Sequence, residues 1–80
     1  MYANKSGHRL RIARTMNKPS LTQDDLAARM QIEGYELTRN MISRIEIGER
    51  YVTDLELIAF SKVLNVSIAW LLEETNIPDR

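Results

Sequence analysis

The stretch TRNMISRIEIGER, residues 38–50, decides the fold because its side chains separate into two faces with the period of a short helix. Its apolar side chains have the spacing of one, three and four residues that a half-buried helix requires, namely Met41, Ile42 and Ile45. Thr38 is a favourable residue to begin such a helix, and Gly48 is a favourable residue to end it. The stretch therefore predicts a short amphipathic helix.

The opposite face of this predicted helix is polar and carries Arg39, Asn40, Ser43 and Arg44. Arginine and asparagine are the side chains that form paired hydrogen bonds with guanine and adenine edges in the major groove of DNA. A short helix with these groups near its start is typical of a helix that reads DNA.

Composition describes one small, ordinary globular domain of 80 residues without cysteine, which excludes disulfides and cysteine-based metal sites. The net charge of zero argues by itself against a nucleic-acid partner. The charge is uneven, however. Nine basic and six acidic side chains in residues 1–52 leave +3, whereas two basic and five acidic side chains in residues 53–80 leave −3. The positive half contains the predicted DNA-reading helix and can attract phosphates locally.

The sequence predicts five helices and no strands. The first covers about residues 6–16 and is broken by Lys18-Pro19-Ser20. Hydroxyl residues at regular intervals are expected to begin the other four: Thr22, Thr38, Thr53 and Ser67. Helix ends are predicted at the glycines and an asparagine: Gly34, Gly48 and Asn65. The expected fold class is all-α.

Three segments, in order, resemble the helix-turn-helix domains of lambdoid phage repressors and of the xenobiotic-response-element family of bacterial regulators. LTQDDLAARM at 21–30 looks like the second helix of that family, and ISRIEIGER at 42–50 looks like its recognition helix and following loop. LNVSIAWLL at 64–72 is similar to the end of the phage repressor domain. The resemblance implies a compact five-helix lambda-repressor-like domain over residues 1–80, with a core at about 6–73 and a short flexible tail at 75–80.

The resemblance also implies roles for single residues. The positions that touch bases in the family correspond here to Arg39, Asn40 and Arg44. The positions that approach the phosphate backbone correspond to Thr22, Gln23, Thr38, Ser43, Arg50 and Tyr51. Similar proteins pair an arginine late in the first helix with a glutamate at the end of the recognition helix, which implies an ion pair between Arg14 and Glu46. The implied partner is double-stranded DNA.

A symmetric dimer is expected because one small domain makes few contacts, with half-sites about one helical turn, or roughly 34 Å, apart. The family often pairs near the C-terminus, which makes Trp70, Leu71 and Ile77 the dimerisation candidates. One departure from the family is the connection at residues 31–37, which is longer than the usual tight turn. We expect it to extend the second helix and to insert a loop around Gly34-Tyr35.

Other functions find less support in the sequence. His8 has no second histidine or cysteine to share a metal, and Asp24 and Asp25 are better explained as acids in the first turn of a helix than as a catalytic pair. We therefore expect no enzyme activity, cofactor, metal, small-molecule effector or membrane span, in a cytoplasmic protein encoded by a bacterium or phage. Two alternatives stay open: an antitoxin or phage accessory protein that mainly binds protein, and the DNA-binding piece of a longer regulator, although a complete small protein is the favoured reading.

Overall fold

Five α-helices and no strand are formed by residues 2–80, the part of the chain that the computed structural model describes. Met1, where the predicted domain begins, lies outside these residues. The helices are α1 (Gly7–Met16), α2 (Gln23–Ile32), α3 (Arg39–Glu46), α4 (Asp54–Leu64) and α5 (Ile68–Leu71). This arrangement confirms the predicted all-α fold class. None of the helices within residues 2–80 has the length and apolar character needed to cross a membrane.

The four predicted hydroxyl caps all begin helices. The Thr22 hydroxyl accepts a hydrogen bond from the backbone N–H of Asp25 at 3.0 Å, and the Asp25 carboxylate accepts one from the Thr22 N–H at 2.9 Å. Thr53 and Glu56 form the same reciprocal pair at the start of α4. Each such cap stabilises its helix by about 1 kcal/mol, so local sequence fixes where these helices start.

Helix ends follow from backbone conformations that few residues adopt. Gly34, with φ +96°, follows α2 by two residues, and Asn65, with φ 55°, directly follows α4. Both positions lie in the left-handed region, which glycine and asparagine tolerate best. The loop between α2 and α3 therefore turns at Gly34, and its Leu37 side chain is buried in the core.

The core lies where α1 packs against α3, α4 and α5, and α2 packs against α3 and α4. Its largest fully buried side chains are apolar: Phe60, Leu10, Leu26, Met30, Ile42, Ile45 and Leu71. Gly7 allows α1 to approach α3 closely, because a Cβ atom at this position would collide with the carbonyl oxygen of Ile45. Helix α3 is thus packed directly against α1.

Two of the three dimerisation candidates are part of this core. Trp70 is 6% exposed and Leu71 is fully buried, so neither can form a surface between two copies. The prediction is corrected for these two residues, because their apolar side chains pack in the core of their own domain. Ile77 is 64% exposed.

The C-terminal tail contacts α1. The Arg9 guanidinium donates hydrogen bonds to the backbone carbonyls of Trp70 at 2.8 Å and Thr75 at 2.6 Å, and it lies 5.0 Å from the centre of the Trp70 ring. The Ser67 N–H also donates to the carbonyl of Pro78 at 3.0 Å. These contacts, which were not predicted from the sequence, hold Thr75 and Pro78 of the tail against the domain.

Candidate nucleic-acid interface

The outer face of α3 presents a row of unburied polar side chains. Arg39, Asn40 and Arg44 are exposed, whereas Ile42 and Ile45 on the opposite face are each 1% exposed. The only ion pair that Arg44 forms within residues 2–80 is with Glu49, at 3.9 Å between two side chains that are more than half exposed. Such pairs contribute little energy, so the guanidinium of Arg44 can turn to another acceptor.

The C-terminal end of α3 is held in place by an ion pair between its last residue, Glu46, and Arg14 of α1. The Arg14 Nε lies 2.7 Å from Glu46 Oε2, and its Nη2 lies 3.0 Å from Oε1. The side chains of these two residues are only 12% and 2% exposed. The hydrogen bond with Glu46 raises the pKa of Arg14 despite its partial burial. The second Arg14 amino group donates to the carbonyl of Leu21 at 2.8 Å, so the loop before α2 joins the same network.

Asn4 holds the other side of the C-terminal end of α3. Its side-chain amide donates to the carbonyl of Ile45 at 3.0 Å and to that of Arg50 at 2.8 Å. Its side-chain oxygen accepts from the N–H of Gly7 at 2.6 Å. One side chain therefore connects the start of α1, the end of α3 and the loop beyond it. This role was missed from the sequence, since no local pattern marks an asparagine whose amide donates to carbonyls more than 40 residues away.

A polar cleft of about 360 Å³ opens where α2 and α3 begin, and it is lined by Arg14, Thr22, Gln23, Asp24 and Arg39. It brings together two predicted phosphate-contacting residues and one predicted base-contacting residue. The free N–H groups and partial positive charge of a helix start favour an anion here, while the carboxylate of Asp24 opposes one. The Gln23 amide donates to Glu46 Oε1 at 3.1 Å, and its second N–H remains available to a further acceptor.

The other predicted phosphate-contacting residues have different surroundings. Thr38 is exposed, and its hydroxyl accepts from the N–H of Met41 at 3.1 Å. Ser43 is half-buried on α3, and the Tyr51 side chain is exposed beyond the end of that helix. Arg50 differs because its guanidinium already binds Glu56, at 3.1 and 3.2 Å. These bonds and the one to the carbonyl of Tyr51 use three of the five N–H donors of Arg50, so the other two can still reach a phosphate while the pair with Glu56 stays closed.

The Arg50–Glu56 pair fixes the loop that follows α3. Burial alone would raise the pKa of Glu56, but hydrogen bonds from Arg50 and Thr53 outweigh burial, and the pKa is lowered. Arg50 also donates to the carbonyl of Tyr51 at 2.9 Å. This network indicates a positioning role for Arg50, which orients the segment between α3 and α4.

The polar face of α3 is exposed, its apolar face packs on a small helical core, and the capped helix α2 precedes it. This arrangement is that of a helix-turn-helix DNA-binding protein. A family model described as Helix-turn-helix (HTH_3) matches residues 10–71. The chain belongs to this family of DNA-binding transcription regulators of the xenobiotic-response-element type, which is a regulator family and not an enzyme family. No curated protein and no solved structure matched the chain.

Proposed function

We propose that this protein is a repressor that binds a specific double-stranded DNA sequence as a dimer on a pseudo-palindromic operator. The observation that carries the proposal is the exposed row formed by Arg39, Asn40 and Arg44 on a helix whose opposite face is buried. These side chains have the donors that read guanine and adenine edges in the major groove. A bound dimer would occlude polymerase at a promoter.

Backbone contacts would set the orientation of α3 in the groove. The polar cleft at the start of α2 is suited to one phosphate, which the second N–H of Gln23 and the guanidinium of Arg39 would approach. Thr22, which lines this cleft, is a further candidate for a phosphate contact, as are Thr38, Ser43 and Tyr51. Arg50 contributes by orienting the loop beyond α3 through its bond to Glu56.

Selection of bound duplexes from a random pool tests DNA binding, sequence preference and two-fold symmetry together. On the selected duplex, Arg44→Ala should weaken binding by about 1–3 kcal/mol and relax the preference at one base position. Gln23→Ala is the matched comparison, since loss of a phosphate contact should weaken binding equally on all sequences. An Arg44→Ala effect that is equal on all sequences would refute base reading by Arg44.

Salt dependence gives a second test of the same interface. Each phosphate neutralised by a basic side chain contributes about −0.9 to the slope of log K against log salt concentration. We expect a steep slope, and a flat response would contradict the backbone contacts.

A second candidate function is that of an antitoxin or phage accessory protein that uses this fold mainly to bind another protein. The excess of acidic side chains in residues 53–80 and the net charge of zero favour it. Stoichiometric co-purification of a protein, together with no selection of any duplex, would support this alternative over the repressor.

A further inference from the structure

The exposed face of α4 carries an acid, two apolar side chains and a base in a single stripe: Asp54, Leu55, Ile58 and Lys62. Leu55 and Ile58 are 60% and 51% exposed, and among residues 2–80 they are the only large exposed apolar side chains that share one helix. Residues three and four apart are neighbours on a helix surface, so these four side chains form one continuous patch. We refer to it as the α4 stripe.

We propose that the α4 stripe is the surface through which two copies of this chain pair on DNA. The inference rests on the proposed function, because it concerns how two domains occupy one operator. Its occupant is a second copy of the same chain, related to the first by a two-fold axis that passes close to Ile58.

The order of charges along the stripe is self-complementary. Asp54 and Lys62 each lie four residues from Ile58, or about 6 Å along the helix axis in opposite directions. A two-fold axis at Ile58 reverses the second helix, so Asp54 of each copy meets Lys62 of the other while the apolar side chains meet between them. A symmetric interface requires this reciprocal pairing. The Lys62 ammonium already contacts Glu33 at 2.9 Å, but its three N–H donors allow a second acceptor.

The dimensions of the domain place two copies close together on adjacent half-sites. The domain measures 31 × 28 × 20 Å, and half-sites one helical turn apart are separated by about 34 Å. Two copies would therefore stand side by side. The α4 stripe begins eight residues after the end of α3, and the exposed Tyr51 ring lies between them in sequence, so this surface is close in the chain to the helix that enters the groove.

The size of the stripe predicts weak pairing in the absence of DNA. A stable interface buries about 1,200–2,000 Å² in total and uses roughly 20–30 residues on each side. A stripe of four residues falls far below this range. We expect monomers in free solution, and pairing that shows itself as cooperative binding to two adjacent half-sites.

Charge exchange tests the proposal on the full chain. Binding to a duplex with one selected half-site and to one with two is measured by fluorescence anisotropy. Asp54→Lys and Lys62→Asp should each lower the cooperativity factor, which is typically about 5–150-fold, to about 1. The double variant should recover it, because opposite charges face each other again. Glu74→Lys, at an exposed acid outside the stripe, changes the charge by the same amount as Asp54→Lys and should leave cooperativity intact.

Because the double variant carries both substitutions, recovery of cooperativity in this variant also shows that misfolding does not explain the loss in the single variants. Full cooperativity in both single variants, or no recovery in the double variant, would overturn the proposal. If the unaltered protein binds half-sites specifically but without cooperativity, the dimer surface is wrong and the DNA-binding proposal stands. If it selects no duplex at all, the proposed function fails, and this inference fails with it.

A crosslinking measurement supplies an independent readout, since the sequence contains no cysteine. Ile58→Cys should be joined to its counterpart by a short bismaleimide on the two-site duplex. Ile68→Cys, an exposed position on α5, is the matched control and should not be joined. Equal crosslinking of the two variants would contradict a two-fold axis near Ile58.

Discussion

Replacement of Glu46 by alanine would remove the acceptor of three side-chain hydrogen bonds. Two come from Arg14, at 2.7 and 3.0 Å, and one comes from Gln23, at 3.1 Å. Loss of one partner of a buried ion pair costs about 3–5 kcal/mol, because the other charge stays behind without compensation. Arg14 keeps its bond to the carbonyl of Leu21 and some exposure to water, so we expect the lower end of that range, about 3 kcal/mol.

Such a loss is large for this chain. A domain of 80 residues has a total unfolding free energy of about 4–12 kcal/mol, so Glu46→Ala removes between a quarter and most of it. Urea unfolding measures the change, with the fluorescence of Trp70 as the probe, since it is the only tryptophan and is buried in the folded state. The midpoint should fall while the slope with urea stays the same.

Two further variants separate the ion pair from simple packing. Glu46→Gln keeps the shape of the side chain and one acceptor, so it should cost less than Glu46→Ala. Replacement of both Arg14 and Glu46 by methionine removes the uncompensated charge and should recover much of the stability. A change in unfolding free energy below about 1 kcal/mol for Glu46→Ala, the value typical of exposed pairs, would refute the role assigned to this pair.

Three other substitutions test separate parts of the structure. Gly7→Ala should destabilise the fold and shift α3, because its Cβ would collide with the carbonyl of Ile45; thermal unfolding measures this, and an unchanged melting temperature would argue against close seating of α3 on α1. Glu56 has a lowered pKa in the folded state, so its ionic bond to Arg50 stabilises the fold above pH 4.5 and is lost as the pH falls further. The stability difference between the unaltered protein and Glu56→Gln should therefore shrink below pH 4.5, and a constant difference would contradict this. Asn65→Ala should cost up to about 1–2 kcal/mol because of the left-handed backbone at this position, whereas Asn65→Gly should be tolerated.

Local chemistry explains which parts of the fold were predictable from the sequence. Thr22, Thr38 and Thr53 each begin a helix because a hydroxyl satisfies a free N–H three residues later, and the signal lies within one turn. The separation of Ile42 and Ile45 from Arg39 and Arg44 follows from helical periodicity in the same way. These features need no knowledge of the rest of the chain.

The features that the sequence did not predict depend on distant partners. The Arg9 guanidinium reaches the carbonyl of Thr75 across 66 residues, and Asn4 reaches that of Arg50 across 46. Trp70 has the same periodic pattern whether it faces the core or a second copy, so its burial could be decided only by packing. The hydrogen bonds from Arg50 to Glu56 likewise depend on the positions of both side chains, which the sequence does not give.

The attachment of α3 to its neighbours through Asn4 and Arg14 has a calorimetric consequence. The helix is already formed and seated before any duplex arrives, so association should not require a segment of the chain to order itself. The heat-capacity change of association should then correspond to the apolar area covered by contact alone, without the larger negative value that coupled folding produces.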